Sequence, residues 1–503
     1  MVRGASVLAL LAACTAHAAS DNPETLAERS QATASAVLDR AVNALGGIDE
    51  LHAIEVVRVR VEGESWPRLQ LSTPEPPFDG GVISEDVLLD TRNNSLLFEQ
   101  RNSTPGFENP EVVVIKGSEG TIYNLRAHTY RPFPSAPSIE QQFAPHYRRL
   151  PHLLLRQALE RANTLRSLGQ DTFEGKPHDV VTFLMGDGQQ VALYVDVQSA
   201  LISKHEVPIV DPLAGDDVSE VAFGDYTRSG NTRVPRTLLT REAGQLTARA
   251  QLTVDVNPAV TDQSFAGPSG HVPVGPSRTA PQSIERLADG VFVIQNVAGP
   301  VQNTLLVEFA DYVVAVEAPG SSAGTERVIA RIKTAVPGKP IRYVVMTHHH
   351  GDHVAGLRSF IAEGATVITT PGNRSLVQSL AAAPHTDRLA KQSRRPEILL
   401  TERGRRVLTD GARTLEIIDV GPNAHAREML IAYLPKERIV FQADMFGIPS
   451  NEASFGPPRP PFVSFANKLK ELRLAVDRIA SVHGRTATIE EFRQRMRESA
   501  DGT

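Results

Sequence analysis

The run Tyr343-Val344-Val345-Met346-Thr347-His348-His349-His350-Gly351-Asp352-His353 joins an apolar strand to a knot of metal-ligand side chains. Four of the fifteen histidines fall between positions 348 and 353. In extended backbone, side chains two residues apart share a face, so His348 and His350 can converge on one ion. Asp352 and His353, past the turn at Gly351, can reach a second. Imidazole nitrogen together with carboxylate oxygen suits borderline metals such as zinc(II). A cluster like this at the carboxyl end of a buried strand would be electrostatically awkward unless something used it.

Outward from this run, strands alternate with helices. Val291-Phe292-Val293-Ile294, Thr304-Leu305-Leu306-Val307 and Val313-Val314-Ala315-Val316 read as strands, and Thr325 to Ala335 as a helix. A second half follows, with Arg406 through Thr414 to Val420, Leu430 to Tyr433 and Ile439 to Phe441 as strands and Ser464 to Val476 as a helix. The expectation for residues 283–503 is an α/β domain of two similar halves meeting face to face. Residues 257–282, crowded with Pro258, Gly267, Pro268, Gly270, Pro273, Gly275, Pro276 and Pro281, read as a linker. Residues 31–256 have another texture. After an amphipathic helix from Ala32 to Leu45 come short alternating segments such as Val57-Arg58-Val59-Arg60-Val61, the pattern of a mainly antiparallel sheet. Gly186-Asp187-Gly188 is the turn of one hairpin, and Leu153 to Leu168 supplies one more helix.

The chain has 503 residues, 41% of them hydrophobic and 22% charged, an ordinary composition for two to four globular domains. Lys+Arg 52 against Asp+Glu 58 gives a net charge of -6 and no basic run, which argues against nucleic acid as a partner. Residues 1–18 have the parts of an export signal: Arg3, the apolar stretch Ala5 to Ala13, and the small-x-small site Ala16-His17-Ala18. Leu11-Ala12-Ala13-Cys14 also resembles a bacterial lipobox, which would lipidate Cys14 and supply the only membrane attachment. The expected location is the periplasm, or the outer membrane if Cys14 carries lipid. Cys14 is the sole cysteine, so cleavage after Ala18 would leave no disulfide, cysteine ligand or cysteine nucleophile.

His348-x-His350-x-Asp352-His353 resembles the signature of the metallo-β-lactamase-fold hydrolases, and the rest of that family's pattern follows in order. A lone histidine, His425, comes after Gly421-Pro422-Asn423-Ala424. An aspartate, Asp444, ends Ile439-Val440-Phe441-Gln442-Ala443, and a last histidine, His483, stands in Ser481-Val482-His483-Gly484. The resemblance implies an αββα sandwich over residues 283–503. It implies that His348, His350 and His425 hold a first metal, that Asp352, His353 and His483 hold a second, and that Asp444 bridges them. His349 and His385 match no ligand position. The family's usual aspartate after an early strand is here Glu317, in Val316-Glu317-Ala318-Pro319. The upstream domain has a weaker likeness to outer-membrane lipoprotein-sorting half-barrels, carried by Ala44-Leu45-Gly46-Gly47-Ile48 and Tyr194-Val195-Asp196, and no functional residue is transferred from it.

The implied chemistry is hydrolysis of an ester, thioester, lactone, amide or phosphoester. Two ions, zinc first and iron or manganese as alternatives, would hold a metal-bridging hydroxide as nucleophile while Asp352 orients the water. Diiron members of the family usually have a carboxylate where this chain has His350, which favours a hydrolase over a redox enzyme. β-Lactamases generally lack the bridging carboxylate, so Asp444 counts against β-lactam amides as the main substrate. That substrate class stays as an alternative, as does an envelope lipid- or lipoprotein-binding protein with an auxiliary metal domain. Phe446, Phe455, Phe462 and Phe465, in a Pro- and Phe-rich insert, either line an apolar pocket for a small or lipid-like substrate or pack the insert onto its own domain.

Overall fold

The computed structural model describes residues 24–132, 139–275, 282–296, 302–448 and 458–498. The export signal, Cys14 and Phe455 lie outside the described residues. Among the described residues, no helix is long and apolar enough to cross a membrane.

The N-terminal region is built on one 14-stranded, mainly antiparallel sheet. Its central strand, Val56–Ser65, pairs antiparallel with Gln245–Val256 on one side and Gly81–Asp90 on the other, so the first and last long strands of the region close on each other. The alternation in Val57-Arg58-Val59-Arg60-Val61 puts Val57, Val59 and Val61 on the buried face and the two arginines against Asp86 and Asp255. The helices that cover the apolar face include the two expected from the sequence. The first, Leu26–Leu45, starts earlier than its apolar spacing indicates, because Thr25 and Glu28 form a capping box. It presents Ala34, Val37, Leu38, Ala41, Val42 and Leu45 to the sheet. The second, Pro151–Glu160, is shorter than the expected Leu153 to Leu168. A single 3₁₀ turn, Ala162–Thr164, ends it, and Arg166–Phe173 becomes an edge strand. The Pro/Gly-rich stretch is laid along the sheet: Phe265 is buried, and Val272–Pro273 adds a short parallel strand beside Thr129–Pro132.

The C-terminal region is an αββα sandwich. Its first sheet runs Ser283–Ala288, Val291–Gln295, Thr304–Glu308, Val313–Val316, Ile341–Val345, Thr366–Thr369, Ile398–Leu400, antiparallel at first and parallel from Val313 onward. The second runs Arg405–Thr409, Thr414–Asp419, Leu430–Leu434, Ile439–Gln442, Arg478–Ser481 and Ala487–Thr488. One core fills the space between them, where Val293, Leu305, Val314 and Val345 meet Leu415, Ile417, Ile431 and Val440. Strands buried on both faces read as continuous apolar runs, which Val313–Val316 and Leu430–Leu434 are. Helix Ser322–Ala335, capped by Ser321, packs on the outer face of the first sheet through Val328, Ile329 and Ile332. The outer face of the second is covered by Pro460–Leu472 and Ile489–Glu498. The former begins before the expected Ser464 because a proline suits the first helical turn, and ends at left-handed Arg473, before Val476.

Phe446, Phe462 and Phe465 pack onto the domain itself. Phe446 lies 5.5 Å from Phe462 and 4.8 Å from Phe492, and Phe465 lies 5.6 Å from Phe492, ring centre to ring centre. Phe446 and Phe465 are buried in the domain core.

Candidate metal centre

Parallel strands deliver their carboxyl ends to one rim of the sandwich, and the predicted ligands all sit just past such ends or on the loops beside them. Ile341–Val345 leads to His348, His350, Asp352 and His353; Thr414–Asp419 to His425; Ile439–Gln442 to Asp444; and Arg478–Ser481 to His483. These seven residues, scattered over 136 positions of sequence, converge on one site.

Asp444 stands at its middle. Its Oδ2 is 2.9 Å from His425 Nε2 and 3.6 Å from His348 Nε2. Its Oδ1 is 3.1 Å from His483 Nε2 and 3.2 Å from His353 Nε2. Asp352 Oδ2 lies 3.3 Å from His353 Nε2 and 3.4 Å from His483 Nε2. Among the described residues three overlapping groups could hold an ion: His348, His350, His425 with Asp444; Asp352, His353, His483; and Glu317 with His348 and His353. Asp444 adopts a left-handed backbone (φ 31°), as does Glu317 (φ 84°) across the site. Such conformations cost on the order of 1–3 kcal/mol each in a residue with a side chain and persist where surrounding structure enforces them.

Partners behind the ligands fix which nitrogen faces inward. His353 Nδ1 is 2.8 Å from Glu317 Oε2, both residues being fully buried, so Glu317 does the supporting work that an aspartate there would do. His348 Nδ1 is 3.0 Å from the Thr347 hydroxyl. His350 Nε2 donates to the carbonyl of Leu71 over 2.9 Å, leaving its Nδ1 buried with no hydrogen-bond partner. The loop carrying His425 is held by Asn423, whose Oδ1 accepts from the backbone N–H groups of His425 and Ala426.

Electrostatics match this arrangement. Burial and neighbouring imidazoles hold His348 and His350 well below the ordinary histidine pKa, hence neutral and free to donate a lone pair. Burial works against ionisation of Asp444 and Asp352, but the surrounding imidazoles prevail and hold both carboxyls well below the usual carboxylate range. Burial likewise opposes charge on His353 and His483, and the carboxylates prevail there. His353 is held well above its ordinary value and His483 rises to about 9. The deprotonated carboxylates and two neutral imidazoles are already in the state a cation needs, and the protons on His353 and His483 stand where a second cation would replace them. The donor set, the orphaned Nδ1 of His350 and the concentration of carboxylate charge fit the binding of divalent metal.

Among the described residues, His349 and His385 belong to none of the groups that could hold an ion. His349 is buried and donates through Nε2 to Leu71 O (2.7 Å), and burial lowers its pKa to about 4. His385 Nε2 contacts Pro212 O at 3.0 Å, tying the two regions together.

Residues absent from the sequence reading complete the surroundings. Gln70 Nε2 donates to Asp352 Oδ1 at 3.1 Å, and Gln302 Nε2 donates to its Oδ2 at 3.3 Å. Phe107 presents its ring edge-to-face to His425 with 4.8 Å between centres, and the Arg459 guanidinium lies 4.7 Å from the Phe107 ring centre. Gly106, beside it, has φ +75° and approaches Ala424 so closely that an added Cβ would stand 2.3 Å from its carbonyl oxygen, which is why the hairpin tip carries glycine there. Gln70, Leu71 and Phe107 come from the N-terminal region. No sequence signal marks them, because an ordinary Gln, Leu or Phe acquires this role only through the docking of the two regions.

Residues 303–487 match the model of the metallo-beta-lactamase superfamily, so this part of the chain is a domain of that superfamily, whose members are generally metal-dependent hydrolases. The chain is similar to solved structures of a metallo-beta-lactamase from Pontibacter korlensis (16% identity, 44% of this chain and 100% of the other, TM-score 0.35) and one from Hirschia baltica (20%, 44% and 98%, 0.33). It is also similar to FIM-1 from Pseudomonas aeruginosa in its mono-zinc form (20%, 45% and 98%, 0.33). No curated protein matches the sequence.

Proposed function

We propose that the protein is an exported, dinuclear metal-dependent hydrolase that cleaves an ester, thioester, lactone or related bond in a small or lipid-like molecule. The observation that carries this reading is the two-sided placement of Asp444, with one carboxylate oxygen toward His348 and His425 and the other toward His353 and His483. His348, His350 and His425 would hold one ion, Asp352, His353 and His483 the other, and Asp444 would serve both. Bound ions of this kind supply Lewis acidity and lower the pKa of water toward neutrality. The chain's own groups do the rest. Asp352, partly exposed and held as a carboxylate, would orient the attacking water. Glu317 and Thr347 hold His353 and His348 in place. Phe107 packs T-shaped against His425. Zinc comes first among candidate metals, with iron and manganese suited to the same donors. Export rests on the Arg3, Ala5 to Ala13 and Ala16-His17-Ala18 pattern.

Metal analysis of the purified chain, coupled to a panel of esters, thioesters, lactones and a chromogenic cephalosporin, tests the reading. Two ions and metal-dependent turnover of an ester, thioester or lactone are expected. Two ions with no turnover of any substrate would remove the enzyme reading, and fastest turnover of the cephalosporin would replace it with a β-lactamase.

A second reading rests on a cleft of about 370 Å³ in the N-terminal region, whose lining includes Phe143, Tyr147, Leu153, Arg156, Gln157 and Glu160. A lining that mixes apolar and charged side chains suits an amphipathic ligand, as an envelope lipid carrier would need. Uptake of acyl chains by delipidated protein that turns over nothing would favour it.

A further inference from the structure

The hydrolase reading places every ion ligand in the C-terminal region, yet three consecutive residues of the N-terminal region lie against the ligand-bearing turn. Leu69 O accepts from the backbone N–H of Gly351 at 2.9 Å. Leu71 O accepts from His349 Nε2 and His350 Nε2. Between them, Gln70 donates to Asp352 Oδ1. Ser72 O, next along, accepts from the backbone N–H of Arg427, two residues past His425.

From this geometry we infer that Gln70 is a positioning residue of the metal centre, fixing Asp352 for the second ion, and that the N-terminal region is therefore a working part of the site. The inference rests on the dinuclear reading above. Asp352 needs such help. It sits on a helix of only four residues, Gly351–Val354, and its side chain is 37% exposed, so neither packing nor a long helix sets its rotamer. Its Oδ2 faces His353 and His483, and the opposite oxygen is the one Gln70 holds. A neutral amide donor directs that carboxylate without competing for the ion, since its NH₂ has no lone pair to offer. Gln70 is itself well placed to do this, because the carbonyls on either side of it are anchored to residues 349–351. Leu71 acts in parallel on the first ion's set, since its carbonyl obliges His350 to carry its proton on Nε2 and to offer Nδ1.

The test is stepwise cobalt(II) titration of the full-length chain, followed by its visible spectrum, in wild type, Gln70→Met and Gln70→Leu, with Thr73→Ala on the same segment as control. Gln70→Met keeps the side chain's length and packing while removing the donor. Loss of an outer partner of a metal ligand lowers metal affinity by about 10–100-fold. The expected result is a loss of that size for the second ion in both Gln70 variants, with the first ion's affinity within about twofold of wild type and Thr73→Ala unchanged. Wild-type affinities for both ions in Gln70→Met, or an equal loss of both, would overturn this inference alone. A wild-type chain that takes up fewer than two ions would overturn it together with the dinuclear reading.

Discussion

His350 Nε2 lies 2.9 Å from the carbonyl oxygen of Leu71, a residue 279 positions earlier in the chain. A carbonyl can only accept, so the imidazole must carry its proton on Nε2. Its lone pair is then on Nδ1, which is buried beside His348 and His425 with nothing else to bond. His350→Ala removes that donor. The expected outcome is loss of the first ion and of activity by more than the roughly 10–100-fold typical of outer partners. Far-UV circular dichroism should stay unchanged, because His350 stands at the rim and outside the apolar clusters. Retention of full metal content would refute the assignment.

Glu317 should matter almost as much as a ligand. It is fully buried and bonded to His353 Nδ1, so Glu317→Ala leaves that N–H without a partner and frees the ring to turn. A loss of about 10–100-fold in affinity for the second ion is predicted, and isothermal titration against a competing chelator measures it. Glu317→Gln, which keeps the shape and an acceptor oxygen, should lose less.

Metal uptake should depend on pH in a defined direction. His483 in the ion-free site has its pKa raised to about 9 and His353 is also raised, so below that range both hold protons that an incoming cation must displace. Apparent affinity should therefore rise as pH rises from 6.5 toward 9. Zinc binding should release protons, visible as a buffer-dependent binding enthalpy. Affinity independent of pH over that interval would contradict the protonation states described above.

Acid should weaken the N-terminal region through three buried imidazoles. Burial pushes His146 down to about 3 and His205 to about 3, with nearby arginines adding to it, and burial alone lowers His152 to about 4. Folded-state values below the unfolded value of about 6.5 mean that the unfolded chain binds protons the folded chain refuses. Stability is thus intact above pH 6.5 and is lost as pH falls from there toward 3–4, with a slope of up to about 1.4 kcal/mol per pH unit for each histidine. Denaturant titration at pH 7 and pH 5 measures it. Replacing His205 with Phe should flatten the slope.

The candidate ligands were readable in the sequence because they follow apolar strands whose ends are plain, as Val344-Val345-Met346 is before His348 and Val440-Phe441 is before Asp444. Strand order then brings those ends to one rim. Gln70, Leu71 and Phe107 gave no such sign, since their role arises from docking between regions more than 270 residues apart in sequence. Phe446, Phe462 and Phe465 admitted two readings because apolar residues in an insert pack inward or line a cleft with the same local pattern, and only their contacts with Phe492 and with one another separate the two. Helix limits moved for local reasons, the Thr25 capping box and Pro460 among them.

X-ray absorption spectroscopy of the zinc-loaded full-length chain, beside Asp444→Ala, tests the two-sided Asp444 most directly. The wild type should hold two ions with a metal–metal vector of about 3.5–4 Å, and the variant should lose that vector. A wild-type spectrum fitted by a single isolated ion, or a vector that survives in Asp444→Ala, would contradict the account.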